Sequence, residues 1–109
     1  MAKHVVLVLS EPTEGQETEF NRWYEQTHID EVLSSADFAS GQRFELTHQA
    51  GPDCPNRYLA LYEVEAPDAA TAVKQLDDSR SAREQSNSIN KRTAALWVFS
   101  PIGDKHVRR

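Results

Sequence analysis

The residues of this chain best suited to chemistry stand together in Phe20-Asn21-Arg22-Trp23-Tyr24-Glu25-Gln26-Thr27-His28-Ile29-Asp30-Glu31-Val32-Leu33. Histidine is the side chain whose ordinary pKa lies closest to neutrality, so His28 could take and return a proton without a large environmental shift. Tyr24, four residues earlier on the same helical face, could offer its phenol to a developing oxyanion. Each has a plainer reading as well. His28 could close the helix by bonding its last carbonyls, and Tyr24 could be an amphipathic core residue with its hydroxyl at the rim. Glu25 and Glu31, three residues to either side, favour a charged His28 if it is exposed, whereas burial opposes it.

Other candidates lie on the strands. Arg43 is a fixed cation in apolar and aromatic sequence that could grip a substrate carboxylate bidentately, or pair with Glu45 or Glu63 across a hairpin. Phe44, Tyr62 and Trp97, with Tyr58, supply aromatic surface for a flat conjugated ligand, and would serve a dimer core equally well. Strand parity decides between the two uses. His4 and His48 bear on the site only if they converge on His28. Cys54 lies in a loop with no adjacent histidine or basic residue to activate it, and reads as incidental.

Several chemistries lack their signatures. His28 and Glu31 are three apart, which can place two ligands on one helical face, but no third ligand follows at diagnostic spacing, so no metal is expected. The chain carries no heme-attachment motif, phosphate-cradling glycine loop, dinucleotide fingerprint or nucleophile elbow, so no cofactor is expected either.

The elements that must position these residues can be read in order. His4 to Ser10 is β-branched and apolar, stops at Glu11-Pro12, and reads as a strand. Thr13 with Gln16 has the form of a capping box, and Glu14, Glu17 and Glu19 suit the positive end of a helix dipole, so a helix is predicted from about Thr13 to Thr27. It ends on His28 and turns into a short second helical segment carrying Ile29, Val32, Leu33 and Ala36. Phe38 to His48 is predicted as strand two, with Gly41 marking a bulge or a close backbone approach. Gln49 to Asn56 is an exposed loop, and Arg57 to Glu65 strand three of a hairpin. Asp68 caps a second helix whose apolar stripe is Ala69, Ala72, Val73 and Leu76, and Arg92 to Pro101 is the last strand.

At 109 residues the chain has room for one domain, with a core within 3–102 and a tail over 103–109. The formal net charge of −5 argues against a nucleic-acid or anionic-membrane partner. The basic residues Arg80, Arg83, Lys91 and Arg92 are interrupted by acids and read as a solvated face. A single cysteine excludes an intrachain disulfide, and no signal-peptide pattern or bilayer-length apolar run occurs, so a cytoplasmic location is expected.

The order β-α-β-β-α-β is that of the ferredoxin-like α+β fold: an antiparallel four-stranded sheet with both helices on one face. The opposite face of such a sheet should be polar in a monomer. Here three of the four strands are apolar on both parities, as in Val5, Leu7 and Leu9 against Val6 and Val8. A second copy, packed sheet to sheet as a two-fold homodimer, is the expected cover.

The run WYEQTHIDEVLSSADFASGQRFEL, with this element order, resembles the dimeric α+β barrel superfamily, and within it the small EthD-like proteins. These carry a similar tryptophan-tyrosine helix ending in histidine, followed by a GF-x-x-G-x-R-F/Y strand. This chain departs from the pattern in having Ile29-Asp30 where proline often follows the histidine, and Asp37 where glycine often precedes the phenylalanine. The resemblance implies a pocket between the helices and the curved sheet that opens near the histidine. The superfamily includes muconolactone isomerases, methylmuconolactone methylisomerases, polyketide cyclases, cofactor-free quinol-forming monooxygenases and heme-dependent enzymes.

Together these observations point to a cofactor-independent isomerase, cyclase or lyase acting by proton transfer on an aromatic, lactone or polyketide-like compound. His28 and Tyr24 are the expected catalytic pair, and Arg43, Phe44, Tyr62 and Trp97 the expected substrate contacts. Two alternatives stand beside it: a cofactor-free or heme-dependent monooxygenase of the same fold, and a non-catalytic binder of a small ligand.

Overall fold

A computed structural model describes residues 1–109. Its elements are β1 (Ala2–Ser10), α1 (Glu17–Trp23), a π-helical turn (Tyr24–His28), α2 (Ile29–Ala36), β2 (Ser40–Glu45), β3 (Tyr58–Ala66), α3 (Ala69–Asp78), a short 3-10 turn (Arg80–Ala82) and β4 (Ala95–Phe99). The sheet is fully antiparallel in the order β2-β3-β1-β4, the arrangement expected of a ferredoxin-like chain. No helix is long and apolar enough to cross a membrane.

Two expectations about the first helix are corrected. It starts at Glu17 rather than near Thr13, because Thr13 is drawn into another contact: its backbone N–H donates to Ser88 and its hydroxyl to Asn87, beside the bridge from Pro12 to Ile89. Gln16 then stands at the helix start, and no side-chain cap forms. Nor does the helix end at His28. It runs on through a π turn into α2, where Asp37 closes it in the left-handed conformation (φ 58°). The second helix is capped as expected, with Asp68 accepting from the Thr71 N–H at 2.8 Å.

The strands are trimmed where their partners run out. β4 covers only Ala95–Phe99, opposite Leu9 to Val5 of β1, while the Thr93 carbonyl just before it accepts from the Asn56 side chain. In an antiparallel ladder, residues directly opposite share a face. His4, Val6, Val8 and Ser10 of β1 therefore lie with Tyr58, Ala60, Tyr62, Val64 and Ala66 of β3 and with Leu96 and Val98 of β4, beneath the helices. Phe20, Trp23, Tyr24, Ile29, Val32, Ala36 and Ala72 close the core over them.

Gly41 lies opposite Tyr62, and a Cβ there would come within 2.9 Å of the Tyr62 ring and 3.2 Å of Ile29. The glycine thus marks a close approach, which lets the tyrosine ring lie against β2. The other face of the sheet carries Val5, Leu7, Leu9, Phe44, Leu59, Leu61, Trp97 and Phe99 with no element of the chain over it. Trp97 is 51 % exposed and Phe99 56 %.

Candidate active site

The π turn sets the geometry of the site. The Ile29 N–H donates to the Tyr24 carbonyl, five residues back, so one extra residue is accommodated in that turn. In an ideal α-helix, residues five apart diverge by roughly 140° around the axis and their rings could not meet. The widened turn brings Trp23 and His28 into a stack, with centroids 4.3 Å apart and planes 25° from parallel. Tyr24 meets the His28 ring edge-on at 4.8 Å. The imidazole is thereby fixed between two aromatic side chains of its own helix.

His28 has no capping role, since the helix continues past it and its side chain bonds no carbonyl. Its Nδ1 is buried and has no hydrogen-bond partner in the chain. Burial, and secondarily the charge of Arg83, lowers its pKa to about 4, so the ring is neutral near pH 7.

His28, Tyr24 and Tyr62 line one cavity of about 230 Å³, between the π turn, the sheet and α3. Burial pushes the Tyr24 phenol up to about 12 and raises that of Tyr62 further still, with Tyr24 adding to the Tyr62 shift. Both are protonated donors at neutral pH. The Tyr62 hydroxyl is fully buried and makes no hydrogen bond of good geometry, although the two phenols are close enough to act on one another's ionisation. The cavity wall thus carries a neutral imidazole, whose sealed Nδ1 leaves Nε2 as the nitrogen open to a ligand, beside two phenols that stay protonated. It suits abstraction of a proton beside a carbonyl, with the phenols stabilising the resulting oxyanion.

The remaining candidates lie elsewhere. The Arg43 guanidinium is stacked over Tyr24 at 4.8 Å and over Phe20 and Tyr58 at 5.5 Å each, and its Nη2 donates to the Asn21 side chain at 2.8 Å. It is paired with neither Glu45 nor Glu63, and Glu63 instead meets Lys3 and Ser40. Arg43 borders a wide, shallow groove with Glu17, Asn21 and Tyr58 and does not line the cavity of His28. Phe44 and Trp97 lie on the uncovered face of the sheet and share no cavity with His28. His4 is buried, its Nε2 donating to the Ala66 carbonyl at 3.1 Å and its Nδ1 bonding Ser100 at 2.8 Å. Neither it nor His48 reaches the cavity.

Arg83 was expected on a solvated face, but it is 8 % exposed and lines the cavity with Arg80, Asp77 and Gln85. The signal that could have found it is the break after α3: an arginine directly after a short polar turn can fold back under the helix it follows. No group of histidine, cysteine or carboxylate side chains is arranged to hold a metal. No protein-family profile, curated protein or solved structure matches this chain.

Proposed function

We propose that this protein is a cofactor-independent enzyme that moves a proton within a small aromatic, lactone or polyketide-like compound, as an isomerase, cyclase or lyase. The observation that carries the reading is a neutral His28 fixed by Trp23 and Tyr24 on the wall of a cavity with two protonated phenols, its Nδ1 sealed off and its Nε2 not. The imidazole accepts the proton from carbon, the enolate oxygen takes a hydrogen bond from Tyr62 or Tyr24, and the imidazolium returns the proton at a second carbon or to a leaving group. Catalysis of this kind contributes on the order of 10²–10⁴ in rate per general base.

The resemblance to EthD-like proteins of the dimeric α+β barrel superfamily supports the same reading, and with it a homodimer. The support for the dimer within this chain is the row of large apolar side chains on the uncovered face of the sheet, a patch of the kind that marks an association surface.

Deuterium exchange tests the chemistry before the natural substrate is known. A panel of β-keto lactones and acyl-phenols is incubated in D₂O and followed by mass spectrometry. The protein should speed wash-in on at least one compound, and His28→Ala should slow it about a hundredfold or more. Equal rates for the two proteins would overturn the role of His28. One observation favours a second reading, a ligand carrier: His28 is the only histidine on the cavity wall, and the two phenols beside it stay protonated. A carrier would bind members of the panel and exchange none.

A further inference from the structure

Arg83 is a buried cation with no carboxylate. Its Nη1 donates to the Ser35 hydroxyl at 2.9 Å and to the Ser79 hydroxyl at 2.8 Å, and its Nη2 to the Leu76 carbonyl at 2.9 Å. All three partners are neutral, and no ion pair involves Arg83. Guanidinium has five N–H donors, so the Nε–H and one Nη2–H make no bond within the chain. Glu31 and Asp77 lie within its field but not at bonding distance, and Glu31 is engaged by the Glu84 N–H at 2.9 Å. A charge held in such surroundings ordinarily has a counterion, because taking an unpaired cation out of water is costly.

The position of Arg83 says where a counterion would come from. It lines the cavity of His28 and Tyr62, and with Asp77, Arg80 and Gln85 it also borders a shallow depression outside, so these four residues form the mouth. On the cavity wall two guanidiniums face one carboxylate, while Asp78 on the outer rim is paired with Lys74, in a chain whose net charge is −5. The surplus cation on the wall runs against the background charge of the molecule, as a site that draws in an anion requires. Arg43, by contrast, is satisfied by three rings and Asn21.

We infer that the ligand of this cavity is a small anion, a carboxylate or a stabilised enolate on a planar body, whose charge is held by Arg83 with Arg80 at the mouth while its apolar part lies against Tyr62, Val32 and Leu96. The inference rests on the cavity being the functional site, and it names the substrate class for the proton transfer proposed above. It also gives the anion a second effect. Compensating Arg83 removes a charge that disfavours imidazolium, so the bound substrate makes His28 a stronger base.

Benzoate and benzamide, which match in shape and differ in charge, test this on the unaltered protein. Titration followed by ¹H–¹⁵N and histidine ring resonances should show saturable benzoate binding, with shifts at Arg83, Tyr62 and His28, and benzamide binding at least tenfold weaker. Arg83→Gln should lose at least tenfold in benzoate affinity, and Arg83→Lys should retain part of it, with far-UV circular dichroism confirming that both fold. Equal binding of the two probes, or no benzoate binding at all, would overturn the inference without reference to any variant. His28→Ala separates the two proposals. It should keep the preference for benzoate, so loss of exchange with that preference intact tests the base alone, and exchange without the preference condemns the anion site alone.

Discussion

The two faces of the sheet are built from similar amounts of apolar sequence and differ in grain. Under the helices, large side chains alternate with small residues: Tyr58 and Tyr62 with Ala60, and Arg43 with Gly41. The small positions let the helices come close, so polar atoms such as the Tyr62 hydroxyl and the His28 Nδ1 are trapped without partners. On the uncovered face, Leu7, Leu59, Leu61, Trp97 and Phe99 are large and carry only one polar atom among them. A face whose centre is coarse and apolar, with Lys3, Gln42 and Glu63 at its margins, suits association, and a face that is graded in size can enclose a reactive group.

The sharpest way to break this contrast is to charge the uncovered face. Leu61→Glu combined with Trp97→Glu should reduce the proposed homodimer to a monomer by light scattering at tens of micromolar, with far-UV circular dichroism unchanged. A wild-type protein that is already monomeric at that concentration would end the association reading and leave the covered face untouched.

The next largest effect compares two phenylalanines. Phe20 is fully buried among Trp23, Tyr24 and Tyr58, at centroid distances of 6.5, 5.6 and 5.5 Å. Phe20→Ala should cost about 3–5 kcal/mol in urea unfolding, as truncation of a large core ring does. In the monomeric double variant, Phe99→Ala should cost less than about 1 kcal/mol, because Phe99 is then exposed in both states. Equal losses would mean that the uncovered face packs within one chain.

A smaller effect comes from the site itself. Unfolded, His28 titrates near its ordinary 6.5, and folded near 4. Between those values the unfolded chain takes up a proton that the folded protein refuses, so stability present above pH 6.5 is lost as the pH falls toward 4. At pH 4.5 this one group should lower stability by about 2.5 kcal/mol relative to pH 7. Unfolding of wild type and His28→Gln at both pH values isolates the term, since the carboxylates contribute alike to each. If the two proteins lose the same amount, His28 is solvated and the covered face does not shield it.

How much of this was legible in the sequence follows the range of the interactions involved. The sheet follows from the order of the elements, each a local signal, the two-sided apolar strands are read directly along each strand, and the Asp68 cap is a three-residue signal. The π turn was not legible, because Tyr24 to His28 fits ordinary helical spacing and only the packing of Trp23 on His28 shows the extra residue. The Thr13 box failed for a related reason: a contact with Asn87 and Ser88, more than seventy residues away, outcompeted a local bond. That Arg83 lines the cavity and Arg43 does not was hidden because the partners that decide, Asn21 for Arg43 and Ser35 with Ser79 for Arg83, are remote in the chain.

The smallest effect lies at the edge of the covered face. Asp37 closes the long helix at φ 58° and ψ 45°, and both its own N–H and that of Phe38 point to the Leu33 carbonyl. The turn drops Phe38 onto Tyr62, with ring centroids 5.7 Å apart, and so fixes where the cover ends. A left-handed residue with a Cβ is strained by roughly 1–2 kcal/mol, somewhat less for aspartate, and glycine removes that strain while adding conformational freedom to the unfolded chain. Asp37→Gly should therefore stabilise by about 0.5 kcal/mol, raising Tm by roughly 2–4 °C, whereas Asp37→Ala should lower it. Both substitutions leave the cavity and the uncovered face as they are, so benzoate binding and oligomeric state should not move. If glycine proves no better than alanine, the left-handed turn is not what anchors Phe38, and the boundary of the covered face is set by the packing of Tyr62 alone.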